Sequence, residues 1–293
     1  MVRSLDEGPS VSPVLPNHTV VPALMSGAVQ ATIFNPVDRA LYLRVYHRRP
    51  FFHPENWRQP FQGFGNAAVY RTIASGTYLF WQDETRARLL AFSPELENSP
   101  TQLQLLVGTL AGSANGFSLN QLQIVKYHTW STPEGRFLPT CKKMLEEGGW
   151  RIFFRGASIS VGRDFAFGVA YETLRVPHWS RDRGEWVQFA ANTSAAIVAC
   201  TLSAPINYCR NIIYGAPPSG CPLRAAQLIA FLAHEVKAAG TKPEQWRHLN
   251  DRLNIGWGSV RVGVGMAVGQ LVFGRCKALY NTIDETLVNS EEL

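Results

Sequence analysis

The chain has 293 residues, of which 46% are hydrophobic and 17% charged, with a formal net charge of +6 and five cysteines. The basic residues are dispersed and form no stripe interleaved with stacking aromatics, which argues against a nucleic-acid partner. Cys141, Cys200, Cys209, Cys221 and Cys276 contain no C-x-x-C pair and the histidines lack ligand spacing, which argues against a disulfide framework and structural zinc.

In chain order, residues 1–19 read as a polar tail with neither an apolar signal core nor an Arg-rich transit pattern. A first helix is predicted over 20–37, stopping or kinking at Pro36, because proline removes a backbone donor and clashes with the preceding turn. The segment 42–60 sets Arg44, Arg48, Arg49 and Arg58 against Glu55, as in a loop on the positive side of a membrane. Further helices are predicted over 66–90, 102–126, 157–176, 187–210 and 256–280. In the third of the six, Gly108, Gly112 and Gly116 stand four apart, a spacing that lets helix backbones approach closely. A short surface helix is expected in each of the longer polar loops, most clearly at 222–239, where Leu228, Ile229, Leu232 and Val236 form an apolar stripe. The run from Gly263 to Gly269 is one residue too long for a dinucleotide-binding loop and lacks a strand before it, so it reads as glycine packing within the last helix.

A threefold repeat organises these elements. Pro36-Val37-Asp38-Arg39-Ala40-Leu41 recurs as Gln121-Leu122-Gln123-Ile124-Val125-Lys126 and as Pro205-Ile206-Asn207-Tyr208-Cys209-Arg210, at intervals of 85 and 84 residues. Residues 8–37, 98–122 and 186–209 carry no Asp, Glu, Lys or Arg. Such runs are long enough to cross a hydrocarbon core of roughly 30 Å as helices. A second echo sets Gln82-Asp83-Glu84-Thr85-Arg86 beside Tyr171-Glu172-Thr173-Leu174-Arg175 and Phe273-Gly274-Arg275-Cys276-Lys277. A third is Glu147-Gly148 followed by Phe154-Arg155-Gly156, with Phe61-Gln62-Gly63 and the weaker Gly256-Trp257-Gly258 as its partners. A fixed period with the same local pattern means one structural unit used three times.

These motifs resemble the mitochondrial carrier family over about residues 20–285. In that family odd helices end in Pro-x-acid-x-x-base and even helices in aromatic-acid-x-x-base. The resemblance implies an all-α membrane protein with six transmembrane helices in three tandem hairpin repeats, pseudo-threefold symmetry and short matrix-side surface helices. The repeats would span 20–97, 98–183 and 184–285, with a C-terminal tail at 286–293. It implies a multi-pass protein of the inner mitochondrial membrane that moves a small anionic metabolite by alternating access. It implies no enzyme activity, no cofactor, no metal, and contact with membrane lipid such as cardiolipin.

Carried over residue by residue, the matrix gate is depleted. Asp38 is expected to meet Lys126, Gln123 offers Arg210 only a neutral acceptor, and Asn207 faces Leu41. The cytoplasmic gate keeps Asp83 with Arg175 and Glu172 with Lys277, whereas Arg86 loses its partner to Gly274. Counting ion pairs therefore predicts a resting state closed on the Asp83 side. The family's substrate positions fall at Tyr70, Ile159 and Arg261, with Arg71 and Ser160 as neighbours; Arg261 is the expected anion anchor, because an intramembrane arginine needs a wet cavity or a partner. Arg71 is one step off its position, about 100° around a helix. Arg163 and Asp164 are expected to pair locally. The lost gate charges also fit a second reading, a transport-inactive carrier-like subunit packed against a larger inner-membrane complex of the respiratory chain or ATP synthase.

Overall fold

The computed structural model describes residues 17–131, 135–175, 184–221 and 223–291, and over these residues its regular structure is all helical. Its α-helices are α1 (Asn17–His47), α2 (Pro54–Trp57), α3 (Phe64–Phe92), α4 (Pro100–Ser118), α5 (Asn120–Ser131), α6 (Phe137–Gly148), α7 (Ala157–Arg175), α8 (Glu185–Gly215), α9 (Ala225–Ala238), α10 (Lys242–Leu253) and α11 (Trp257–Glu291). The long helices form a closed ring. α1 packs on α3, α3 on α4, α4 on α7, α7 on α8, α8 on α11, and α11 back on α1. Each sequence repeat thus supplies one helix hairpin, with α5 continuing α4 beyond a bend.

Prolines do not end the odd helices. α1 runs through Pro36 to His47, and α8 through Pro205 to Gly215. The odd helix without a proline at this position is the one interrupted, at Leu119. There Asn120, fully buried, donates from Nδ2 to Phe153 O at 2.8 Å and accepts from the Tyr214 hydroxyl at 2.5 Å. Those bonds hold the bend to α8 and to the 3-10 turn Trp150–Phe154. Tertiary hydrogen bonds, not proline, therefore set this break.

Glycine spacing does what the sequence predicts between α4 and α7. A Cβ on Gly108 would lie 2.6 Å from Glu172 Cγ. The α1–α3 contact is less yielding, since a Cβ on Gly27 would meet Arg71 O at 2.6 Å and Thr72 Cα at 2.8 Å, both backbone atoms that cannot rotate away. Gly27→Ala is therefore expected to destabilise the protein by about 1–3 kcal/mol, the usual range for overpacking. A thermal melt of the purified variant in detergent checks this, and a wild-type melting temperature would refute it.

The surface helices are unequal, contrary to the expected one per loop. The first loop holds only the single turn α2, whereas the third holds both α9 and α10. In α9, Leu228 and Leu232 are buried with Tyr208 and Ile213 of α8, while Ile229 of the predicted stripe is exposed. Residue 222 lies outside the described residues. Charges tie these helices to the end of α1. Arg44 donates to Asp251 at 2.5 Å and to Asn254 at 3.0 Å, and Glu235 accepts from Arg252 at 2.7 Å and from Arg48 at 3.3 Å. At the start of α10, the Thr241 backbone N–H and hydroxyl both donate to Glu244, which holds its carboxyl below the usual range. This contribution is present above the unfolded carboxylate's pKa and is lost as pH falls through the lowered one.

Arg155 staples the loop after α8. Its guanidinium donates to the carbonyls of Ala216, Pro217, Pro218 and Gly220 at 2.8–3.2 Å. Arg155→Ala should leave the ring intact but make residues 216–221 markedly more sensitive to limited proteolysis. Lysine should not rescue this, because it lacks the planar fork.

Polarity runs inside out for a water-soluble protein. Large apolar side chains stand exposed on the outer faces of ring helices, including Val21, Met25, Val29 and Ile33 at four-residue spacing on α1. Phe80, Phe117, Phe165 and Leu202 do the same on α3, α4, α7 and α8. By length and apolarity alone, two helices could cross a membrane, within Trp186–Gly215 and Trp257–Tyr280. Charges such as Arg71 on α3 and Arg163 and Asp164 on α7 face the ring's interior, which lowers the apolarity of those helices without touching their outer faces.

Candidate functional site

The ring encloses a cavity of about 460 Å³ to which all six ring helices and α5 contribute. Its wall carries Arg71, Lys126, Arg163, Arg210 and Arg261 against Asp38, Asp164 and Glu172, two more bases than acids among the described residues. Aromatic residues Tyr70, Tyr78, Phe167 and Tyr171 complete its sides.

Asp38 is the hub. Arg261 reaches it from α11, with Nη2 donating to Oδ2 at 2.6 Å and Nε in ion-pair contact with Oδ1. Arg71 reaches the same Oδ2 from α3 at 2.9 Å. Two guanidiniums on one carboxylate link three helices by charge-assisted bonds. Arg261 also lies over the Phe34 ring, its guanidinium carbon 4.7 Å from the centroid.

This arrangement corrects the expected matrix gate. Asp38 does not pair with Lys126, because the two arginines occupy its carboxylate. Lys126 Nζ instead lies 4.3 Å from the centroid of the Tyr70 ring and 4.9 Å from that of Trp130, with no described carboxylate in ion-pair contact. Arg210 does not bond Gln123; its Nη2 donates to Asn207 Oδ1 one helical turn away at 2.7 Å. Asn207 is thereby engaged on its own helix rather than across from Leu41, which packs with Ala40 and Phe51. Gln123 is buried in the cavity wall.

In the other gate, the expected Glu172–Lys277 pair is not formed. Lys277 is exposed and does not reach Glu172, which accepts from Gln104 Nε2 at 3.3 Å. Asp83 and Arg86 are exposed at a second, smaller pocket of about 340 Å³. The Arg175 side chain lies outside the described residues, and with it the expected Asp83–Arg175 pair.

Of the expected substrate positions, Tyr70, Arg71 and Arg261 line the cavity. Ile159 does not, because it packs against the apolar cluster of Ala204, Tyr208 and Leu253. Ser160 is fully buried outside the cavity wall, near Tyr214. Arg163 and Asp164 pair side by side, as expected.

An aromatic layer that sequence reasoning did not find lies across the C-terminal ends of the odd helices. Tyr42 and Tyr127 meet edge to face at 4.8 Å, Tyr127 and Tyr214 at 5.3 Å, and Trp130 lies 5.6 Å from Tyr42. The Tyr127 hydroxyl donates to Asn211 Oδ1 at 2.7 Å. Ile124, Val125, Met144 and Ile152 pack behind. A signal was present: Tyr42, Tyr127 and Asn211 each stand four residues after the repeat positions 38, 123 and 207. The layer closes this end of the cavity, whereas Asp83 and Arg86 on α3 and Lys277 on α11 are exposed. The odd-helix end, which ion-pair counts predict to be open, is thus packed shut by aromatic surface rather than by charge.

A scan of the chain against models of known protein families finds no match, and a search of curated proteins finds no significant similarity.

Proposed function

We propose that this chain is a membrane carrier of the mitochondrial carrier type, with its six ring helices spanning the inner mitochondrial membrane, and that it moves a small anionic solute by alternating access. The observation that supports the reading most directly is a closed ring with apolar outer faces around a cavity holding two more bases than acids. An exposed apolar belt of this extent marks contact with lipid or another apolar partner. Ionisable groups within such a ring are tolerated where they face each other or a wet cavity. The state described has the odd-helix end sealed by aromatic packing, and alternating access would require that layer to separate.

Purified protein reconstituted into liposomes should exchange at least one radiolabelled small anion, with no uptake by protein-free liposomes. The second reading, a structural subunit of a larger inner-membrane complex, has one observation in its favour: Lys277 and Glu172 are unjoined at the even-helix end. Absence of exchange across a broad anion panel, together with stable co-migration with a large complex in mild detergent, would favour that subunit and refute the carrier.

A further inference from the structure

Two buried bases at the floor of the cavity have lost the acids that their repeat positions would supply. Lys126 and Arg210 are each only 8% exposed. The acids' places in units two and three are taken by Gln123 and Asn207, and the one remaining acid, Asp38, is held by Arg71 and Arg261. Lys126 is left against the faces of Tyr70 and Trp130. Arg210 has one bond to the neutral Asn207, and its Nε, buried, makes no hydrogen bond. A buried cation without a counter-charge is costly and recruits one. Of the other acids in the wall, Asp164 is committed to Arg163 and Glu172 accepts from Gln104. Tyr70 adjoins both bases, with Lys126 over its ring and Arg210 among its charged neighbours.

We propose that Lys126 and Arg210, with Tyr70 beside them, form an anion site for a small dianion whose negative oxygens take the places of the two missing ring carboxylates. The proposal rests on the carrier reading and moves the solute's anchor from Arg261, whose guanidinium is already bonded to Asp38, to the two bases that contact no acid among the described residues. Its charge matches the two-base excess of the wall, so the loaded cavity is neutral while the empty one is not. A monoanion would leave one base unanswered. The bound dianion would also bridge α5 to α8 directly beneath the aromatic layer, favouring the sealed state described here.

Two dianions separate the sources of such chemistry: succinate, with two carboxylates, and inorganic phosphate in its dianionic form. Either should raise the melting temperature of the detergent-purified protein in a saturable way, while acetate at equal ionic strength should not. Lys126→Gln and Arg210→Gln should each weaken that binding about ten- to hundredfold, the range expected on losing one hydrogen bond to a charged group. Both variants should keep or exceed the wild-type melting temperature without ligand, since each removes an uncompensated buried charge. That second outcome separates a ligand site from a merely structural role. Gln123→Glu and Asn207→Asp should likewise weaken dianion binding, because they restore an internal acid. Dianion stabilisation that survives in both Lys126→Gln and Arg210→Gln, equal stabilisation by acetate, or no stabilisation by either dianion would overturn the site. Dianion binding with this variant pattern but no exchange in liposomes would leave the site standing and refute the carrier. Exchange that is unaffected by either substitution would do the opposite.

Discussion

Asp38→Asn is expected to lower the stability of the protein by about 3–5 kcal/mol, the usual consequence of removing one member of a buried ion pair. The substitution leaves two guanidiniums, Arg71 and Arg261, facing each other without the carboxylate that holds both. Arg261→Ala should cost less, because Asp38 keeps Arg71 as a partner. The double variant Asp38→Asn/Arg261→Gln should recover part of the loss, since the worst repulsion is gone; the two sites touch, so their effects should not add. Thermal unfolding of all three variants in the same detergent gives the comparison. A wild-type melting temperature for Asp38→Asn would show that the triad does not hold α1, α3 and α11 together. The arrangement also alters what loss of uptake by Arg261→Ala would mean: such a loss together with lowered stability would report on the triad, not on solute contact.

Tyr127→Ala is the second change with a large expected effect. Truncating a buried aromatic costs about 3–5 kcal/mol. Here it also removes the hydrogen bond to Asn211 and the ring that touches both Tyr42 and Tyr214. The seal should open at the odd-helix end. Cysteines introduced at Leu41 and Gln123, both in the cavity wall, should then react much faster with a membrane-impermeant thiol reagent applied from that end. Tyr127→Phe separates packing from hydrogen bonding and should cost only about 1 kcal/mol, with labelling close to that of the parent. If labelling is unchanged in Tyr127→Ala, the aromatic layer is not the barrier.

Much of the scaffold was legible from the chain alone. Apolar runs of helical length, a repeat of 85 and 84 residues, and glycines at four-residue spacing are local or periodic signals, and the long helices and the close α4–α7 approach follow from them. The cavity-facing positions of Tyr70, Arg71 and Arg261 were reached in the same way, because a repeat transfers position along an element. Partner choice did not transfer. Which base reaches Asp38 depends on where guanidiniums from α3 and α11 converge, and a long flexible side chain can serve several positions around its helix. The bend at Leu119 was hidden for the same reason: it is fixed by Asn120 bonding residues more than thirty positions away in sequence. The closure of the odd-helix end was missed because charge counting has no term for aromatic surface. Tyr42, Tyr127, Trp130 and Tyr214 form a seal only once three odd helices bring them to one layer, and packing energy exists only between surfaces that have already met.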